Sequence, residues 1–179
     1  MRRCVSTLLF LLITLQYCFS QNHMKFMGVP IDGNVHSFCQ KLISKGFVKD
    51  KGNVQNAYCL IGRFYDEDAN IQVDYDPNNN IVYSVTVYII KNSLITAYPV
   101  QRDILKAIEN KYKYEKKTIS PELYQYEYYI YEDSNFTGMI QTFIVDSKTI
   151  PTTKEAMISI TYTDVDNYLN YENRKRKDI

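Results

Sequence analysis

Apolar residues recur at helical spacing in two stretches of this chain, and the first follows the turn Asp32-Gly33-Asn34. Asn34 or Asp32 can accept the free amides of a first helical turn. Gly46 can adopt the left-handed conformation that ends a helix. The spacing therefore predicts a first helix whose buried stripe consists of Val35, Phe38, Cys39, Leu42 and Ile43.

The second stretch follows Pro99, which suits the first turn of a helix because its missing N–H would be unpaired there in any case. Charged residues such as Arg102 and Lys106 lie off the apolar stripe. This pattern predicts a second helix that starts near Pro99 and buries Val100, Ile104, Leu105, Ile108 and Tyr112.

Elsewhere the chain is rich in Val, Ile and Tyr, and apolar and polar positions alternate, which is the pattern of half-buried strands. Clusters of Asp, Asn, Gly and Pro separate these segments and predict turns. Gly62 falls inside one segment, where it indicates a bulge or a close approach by the first helix. The predicted strands are Phe47–Val48, Ala57–Tyr65, Ile71–Tyr75, Ile81–Ile90, Leu123–Tyr131, Phe136–Val145 and Glu155–Thr163.

The predicted order is one helix and four strands, then a second helix and three strands. Short connections between successive strands imply antiparallel hairpins. We therefore expect an α+β fold with two helix-plus-antiparallel-strand repeats, whose helices pack on one face of antiparallel sheet. The pattern leaves open whether the repeats share one sheet. We place this single domain at residues 21–166, followed by a polar, basic tail at residues 167–179.

The first 20 residues have the features of a secretory signal peptide. Arg2 and Arg3 precede a short apolar run, and Ser20 marks the expected cleavage site. The run is shorter than the roughly 20 residues needed to span a bilayer, and no later segment reaches that length. Lipidation at Cys18 is the alternative, but Tyr17 occupies the preceding position, where a lipoprotein signal has a small residue. We expect an exported protein, periplasmic or secreted, with no transmembrane segment.

Removal of Arg2 and Arg3 with the leader reduces the 21 basic residues to 19, against 20 acidic residues, so the net charge becomes −1. A nucleic-acid-binding protein needs a basic surface, and this balance therefore argues against nucleic acid as a partner. Cys39 and Cys59 remain after the leader is removed. In an oxidising compartment they can form a disulfide, and two buried free thiols are the alternative.

Short motifs spread over most of the chain carry a resemblance to a known group of proteins. They are Phe26-x-Gly28-Val29-Pro30-Ile31-Asp32-Gly33, Lys45-Gly46-Phe47, Leu60-x-Gly62-x-Phe64, Lys111-Tyr112 and Tyr162-x-Asp164-x-x-Asn167. Together they resemble a family of uncharacterised secreted or periplasmic proteins of Bacteroides-type gut bacteria. The resemblance implies an exported protein and a shared fold, and it carries over no catalytic residue. The chain departs from that family in lacking Trp and in having Tyr114 where relatives have glycine.

The sequence contains no recognisable catalytic motif. His23 and His36 do not have zinc-ligand spacing with the cysteines, and neither a phosphate-binding glycine loop nor a nucleophile motif is present. The segment from Asp74 to Asn80 begins like a calcium loop, but Asn79 and Val85 stand where an EF-hand has Gly and Glu. We expect a hairpin turn there, no bound metal, no cofactor and no enzymatic activity.

Tyrosine is the unusual feature of the composition, with 17 Tyr and no Trp. A cluster in one predicted strand could pack across strands or present rigid, amphipathic rings to a partner, with alternate rings on opposite faces. This candidate partner surface consists of Tyr124, Tyr126, Tyr128, Tyr129 and Tyr131. We expect a non-enzymatic exported module that binds a protein partner through its Tyr-rich sheet. A carbohydrate-binding accessory protein and a hydrolase with an unrecognised pair of carboxylates are the alternatives.

Overall fold

The computed structural model describes residues 22–52, 54, 56–122, 124–145 and 155–177. The predicted leader with Cys18 and the predicted connection from Ser147 to Thr153 lie outside these residues. The helices are α1 (Val35–Ile43), α2 (Leu94–Lys111) and α3 (Val165–Lys177). The strands are β1 (Lys25–Phe26), β2 (Val29–Pro30), β3 (Val48–Lys49), β4 (Ala57–Phe64), β5 (Glu67–Asp76), β6 (Ile81–Lys91), β7 (Lys113–Ser120), β8 (Gln125–Glu132), β9 (Asn135–Val145) and β10 (Ala156–Asp164).

Strands β3 to β10 form one antiparallel sheet in the order β3-β4-β5-β6-β10-β9-β8-β7, and β1 and β2 form a separate hairpin. Each repeat contributes half of the large sheet, because α1 precedes β3 to β6 and α2 precedes β7 to β10. The last strands of the two repeats, β6 and β10, pair at the centre. The predicted α+β fold with two helix-plus-strand repeats is confirmed, and the repeats share one sheet.

The hydrophobic core lies between this sheet and helices α1 and α2. Alternate residues of the central strands point to this side and are fully buried, as are Val85 and Val87 in β6 and Ile160 in β10. Burial of each such side chain contributes about 1.5–3 kcal/mol, which makes this layer the main source of stability.

Helix α1 agrees with the prediction at both ends and along its stripe. Asn34 Oδ1 accepts a hydrogen bond from the N–H of His36 at 2.9 Å and caps the first turn. Of the five predicted stripe residues, Ile43 is partly buried and the others are buried. Gly46 follows the helix with a φ of +101°.

Gly62 marks a close approach to β4, as its position in the sequence suggested. A Cβ at this position would lie 2.5 Å from Cδ1 of Phe47, so any side chain would collide with that ring. The group that approaches is the Phe47 ring that follows α1, and not the helix itself.

Helix α2 begins at Leu94, before the predicted start at Pro99. Ser93 and Thr96 form a capping box, in which each side chain accepts a hydrogen bond from the other's N–H. Pro99 therefore lies inside the helix, where it leaves the carbonyl of Ile95 without its helical partner. Ile95 is 85 % exposed, so this carbonyl lies on the solvent side of the helix.

The prediction misses strand β7, so the second repeat has four strands and not three. Its sequence is rich in Lys and lacks the alternation of a half-buried strand. Strand β7 is an edge strand that pairs only with β8, and all of its residues except Ser120 are exposed. Lysines on an exposed edge oppose pairing with a second chain.

Residues 165–177 form helix α3, where the sequence predicted a polar tail from residue 167. The Tyr171 ring stacks on Tyr83 of β6 with 4.6 Å between centroids, and Arg174 pairs with Asp76 of β5. These contacts lie on the side of the sheet opposite α1 and α2. The prediction fails because both contacts join residues far apart in the chain. Among the described helices, none has the length and apolarity to cross a membrane.

Candidate functional site

The five tyrosines of the predicted partner surface do not form one surface. Tyr128 lies on the core side of β8 and is fully buried, and Tyr124 and Tyr126 pack partly buried against the same core. Tyr129 and Tyr131 are half-buried on the opposite side of the sheet, as strand alternation requires. The division between two faces agrees with the predicted alternation, whereas the burial of Tyr128 shows that the five rings do not form one exposed partner surface.

The Tyr128 hydroxyl belongs to a structural network. It donates to Glu109 Oε1 of α2 at 2.8 Å, and Lys116 Nζ of β7 donates to the same oxygen at 2.8 Å. Burial acts to raise the pKa of Glu109, but the hydrogen bonds from Lys116 and Tyr128 outweigh it and lower that pKa. The network joins α2 to the edge of the sheet.

Cys39 and Cys59 are free thiols, so of the two alternatives that the sequence left open the possible disulfide does not form, and Cys59 is only half-buried. Cys39 is buried on α1, whereas Cys59 pairs with Gln72 on the face opposite α1 and α2. The sheet therefore separates the two side chains. Burial, together with the nearby Cys59, raises the pKa of the Cys39 thiol to about 12, which keeps it protonated and unreactive.

The calcium-like segment is a hairpin turn between β5 and β6. Asp76 Oδ1 accepts a hydrogen bond from the N–H of Asn78 at 2.9 Å, and Asp76 Oδ2 is bound by Arg174. Both carboxylate oxygens are thus engaged by protein groups. Among the residues that the structure describes, no cluster of three or more His, Cys, Asp or Glu side chains could hold a metal ion.

His23 belongs to a hydrogen-bond cluster at the start of α3. Its Nδ1 lies 3.0 Å from Asp164 Oδ2, which also accepts from the N–H of Met24, and Asp164 Oδ1 accepts from the N–H of Asn167. Burial raises the pKa of Asp164 against the lowering effect of these hydrogen bonds. Because the carboxylate is occupied on both oxygens, the cluster's role is to fasten the N-terminal segment to the junction of β10 and α3.

The face of the sheet opposite α1 and α2 carries large apolar side chains near the β3 edge. Residues that pair across successive strands form rows perpendicular to the strands. In one such row, Val48 of β3 pairs with Ile61 of β4, followed by Asn70 of β5 and Tyr88 of β6. In the neighbouring row, Ile90 of β6 pairs with Met157 of β10. Phe143 of β9 belongs to the same face, because its partner Ser159 of β10 pairs with Tyr88. We call this group the open-face patch, and it consists of Val48, Ile61, Tyr88, Ile90, Phe143 and Met157.

Three aliphatic residues of the open-face patch are exposed: Val48 and Ile61 are cross-strand neighbours, and Ile90 lies on β6, two strands from Ile61. Val48 is 55 % exposed, Ile61 is 38 % exposed and Ile90 is 53 % exposed. They line a groove of about 520 Å³ together with Arg63 and Asn70. The adjoining row toward α3 is polar and consists of Cys59, Gln72, Thr86, Thr161 and Gln141.

The sequence analysis did not assign the open-face patch, although β6 contains a signal for it. A strand with one solvated face alternates strictly between apolar and polar residues. In β6 the run Tyr88-Ile89-Ile90 is apolar at successive positions, so one apolar set must face away from the core.

Comparisons of the chain with models of known protein families, with curated proteins and with solved structures found no match.

Proposed function

We propose that this chain is an exported, non-enzymatic module that binds a protein partner through the open-face patch. The observation that carries the proposal is the exposure of Val48, Ile61 and Ile90 along one groove on the same face of the sheet. Single exposed apolar residues are normal on protein surfaces, whereas a contiguous group with a polar border is typical of an interaction site.

The composition of the surface favours a protein partner. An interface between proteins has an apolar centre and a polar rim that supplies hydrogen bonds. The open-face patch supplies the apolar centre, and the hydroxyl and amide groups of Thr161, Gln72 and Gln141 border it. Sugar binding would need exposed aromatic faces, whereas the most exposed side chains of the patch are aliphatic.

A leader-like N-terminus and a resemblance in short motifs support this proposal from the sequence. The charged and then apolar pattern of residues 1–20 is that of a signal peptide. The short motifs that resemble secreted proteins of Bacteroides-type bacteria favour the same compartment. A partner is therefore to be sought in the envelope or in the medium.

The experiment compares the partners captured by the wild-type protein and by two matched variants. Ile90→Glu places a charge in the open-face patch, whereas Ile95→Glu makes the same change on the exposed side of α2. Each purified protein is used as bait for envelope and secreted fractions of the source cells, and captured proteins are quantified by mass spectrometry. We expect Ile90→Glu to lose at least one partner that the wild type and Ile95→Glu retain.

Two results would count against the proposal. One is an identical set of captured proteins for Ile90→Glu and the wild type. The other is saturable binding of the wild type to a glycan on an array that Ile90→Glu reduces, since this would assign the same surface to carbohydrate. Melting curves of all three proteins verify that the substitutions leave the fold intact.

A further inference from the structure

A second concave site lies away from the open-face patch, where three chain segments meet. The turn between β1 and β2, the turn between β4 and β5 and the C-terminal end of α2 surround a cavity of about 260 Å³. We call it the aromatic cavity, and the residues that line it are Met27, Phe64, Tyr65, Lys111, Tyr112 and Tyr162. Its volume is slightly below the roughly 300–1,000 Å³ of pockets for drug-sized ligands, so it suits a small molecule.

The walls of the aromatic cavity are preformed. The Phe64 ring contacts Tyr65 edge-on at 4.8 Å between centroids and Tyr162 at 6.4 Å. The Tyr112 hydroxyl donates to the carbonyl of Lys25 at 3.0 Å, which fixes that ring. A ligand would therefore meet ordered rings and would not have to order them.

One polar group inside the aromatic cavity has no hydrogen-bond partner among the described residues. Tyr162 is only 4 % exposed, and its hydroxyl forms no hydrogen bond within the described part of the chain. Among the described residues, every side-chain N or O atom that is inaccessible to solvent has a hydrogen-bond partner. Since the Tyr162 oxygen has none, it must be accessible, and it is accessible from the cavity that Tyr162 lines. A hydroxyl that opens into the cavity and has no partner among the described residues is available to donate to a bound ligand.

Two residues that line the aromatic cavity occupy costly backbone conformations. Met27 has a φ of +48° and Tyr65 a φ of +49°, and each is the first residue of a two-residue hairpin turn. Asn and Gly occupy such turn positions at much lower cost than a large side chain. Strain of this kind concentrates at ligand-binding sites, and here it places both side chains on the cavity wall.

The charge that lines the aromatic cavity is positive. Of the described residues that line it, only Lys111 is charged, and its Nζ lies 4.9 Å from the centroid of the Tyr112 ring. Burial raises the pKa of Tyr65, Tyr112 and Tyr162, so their hydroxyls remain neutral. The site thus offers an apolar body, a neutral hydroxyl donor and one cation.

We propose that the aromatic cavity binds a small carboxylate with an apolar body, whose acid group pairs with Lys111 and accepts a hydrogen bond from Tyr162. The rings of Phe64, Tyr65 and Tyr112 would enclose the apolar body. This inference does not depend on the function proposed for the open-face patch.

The test uses 4-phenylbutyrate and its primary amide, which have the same apolar body and differ in charge. Affinity is measured by calorimetry, and stabilisation by the shift in melting temperature, since a ligand of the native state raises it. We expect the carboxylate to bind at least about tenfold more tightly than the amide. Lys111→Gln should abolish this difference, whereas Lys106→Gln, a control on the same helix outside the cavity, should preserve it.

The variant Tyr65→Asn tests whether the cavity wall is needed for binding without unfolding the protein. Relief of the positive φ offsets the lost ring contact with Phe64, so the ligand-free variant should stay folded and bind 4-phenylbutyrate at least about tenfold more weakly. Equal binding of acid and amide by the wild type, wild-type affinity in Tyr65→Asn or Lys111→Gln, or no binding at millimolar concentration would each overturn the proposal.

Discussion

Arg174 of α3 and Asp76 of β5 are 98 positions apart in the chain, and their side chains form an ion pair with an Nε–Oδ2 distance of 2.6 Å. Asp76 is almost fully buried, whereas Arg174 retains contact with solvent. Few other polar contacts join α3 to the sheet, and no residue of α3 is buried. The pair therefore contributes to the docking of a helix that its own sequence would not predict.

Replacing Arg174 should destabilise the protein through the carboxylate that remains. Arg174→Ala leaves Asp76 Oδ2 buried without its partner, which costs about 1–3 kcal/mol in the free energy of unfolding. Urea denaturation followed by circular dichroism measures the loss. Arg176→Ala, an exposed arginine on the same helix, should change stability by less than about 0.5 kcal/mol. Equal effects of the two substitutions would show that the ion pair does not stabilise α3.

Gln101 of α2 provides the second prediction, because it is a buried amide in an otherwise apolar stripe. Its Nε2 donates to the carbonyl of Tyr124 at 2.9 Å and to Thr142 Oγ1 at 3.0 Å. Gln101→Met keeps the shape of the side chain but leaves both acceptors unpaired. We expect a loss of about 1–3 kcal/mol in the free energy of unfolding.

A double-mutant cycle distinguishes the hydrogen bonds of Gln101 from its packing. Thr142→Val removes one acceptor, so combining it with Gln101→Met should cost less than the sum of the single substitutions. Both residues lie on the core side of the sheet and contact each other directly. Additive costs, measured by urea denaturation, would mean that the Thr142 contact contributes nothing.

The elements with local signals could be predicted from the sequence. The cap at Asn34, the stripe from Val35 and the stop at Gly46 all act within a few residues of one another, and α1 agrees with them. Pro99 predicts a start of α2 that is too late in the chain, because the capping box of Ser93 and Thr96 begins the helix before it.

The elements that depend on distant contacts could not be predicted in this way. Strand β7 has an unremarkable charged sequence and exists because β8 offers it a partner. The open-face patch combines strands from both repeats, so its extent follows from the pairing of β6 with β10. The tyrosine cluster combines both cases. Alternation within β8 correctly predicts that its rings lie on two faces, but the burial of Tyr128 depends on α2, which is distant in the chain.

Asp74 of β5 gives a prediction about pH. Its Oδ1 accepts a hydrogen bond from Gln72 Nε2 at 2.8 Å, and burial raises its pKa above the ordinary value of 3.8. The folded state therefore binds a proton on Asp74 more tightly than the unfolded state does. Consequently, the contribution of Asp74 to the free energy of unfolding decreases as the pH rises from below 3.8 through the raised pKa of the folded state.

Asp74→Asn should remove this dependence, because an amide cannot ionise and can still accept the hydrogen bond from Gln72. We expect the variant to match the wild type at pH 3 and to be more stable than it at pH 7, as measured by urea denaturation at both values. Asp68→Asn on the same strand is the control, since that side chain is almost fully exposed. A stability difference between Asp74→Asn and the wild type that is the same at both pH values would contradict the role of burial, because it would then come from a contact that does not depend on the proton.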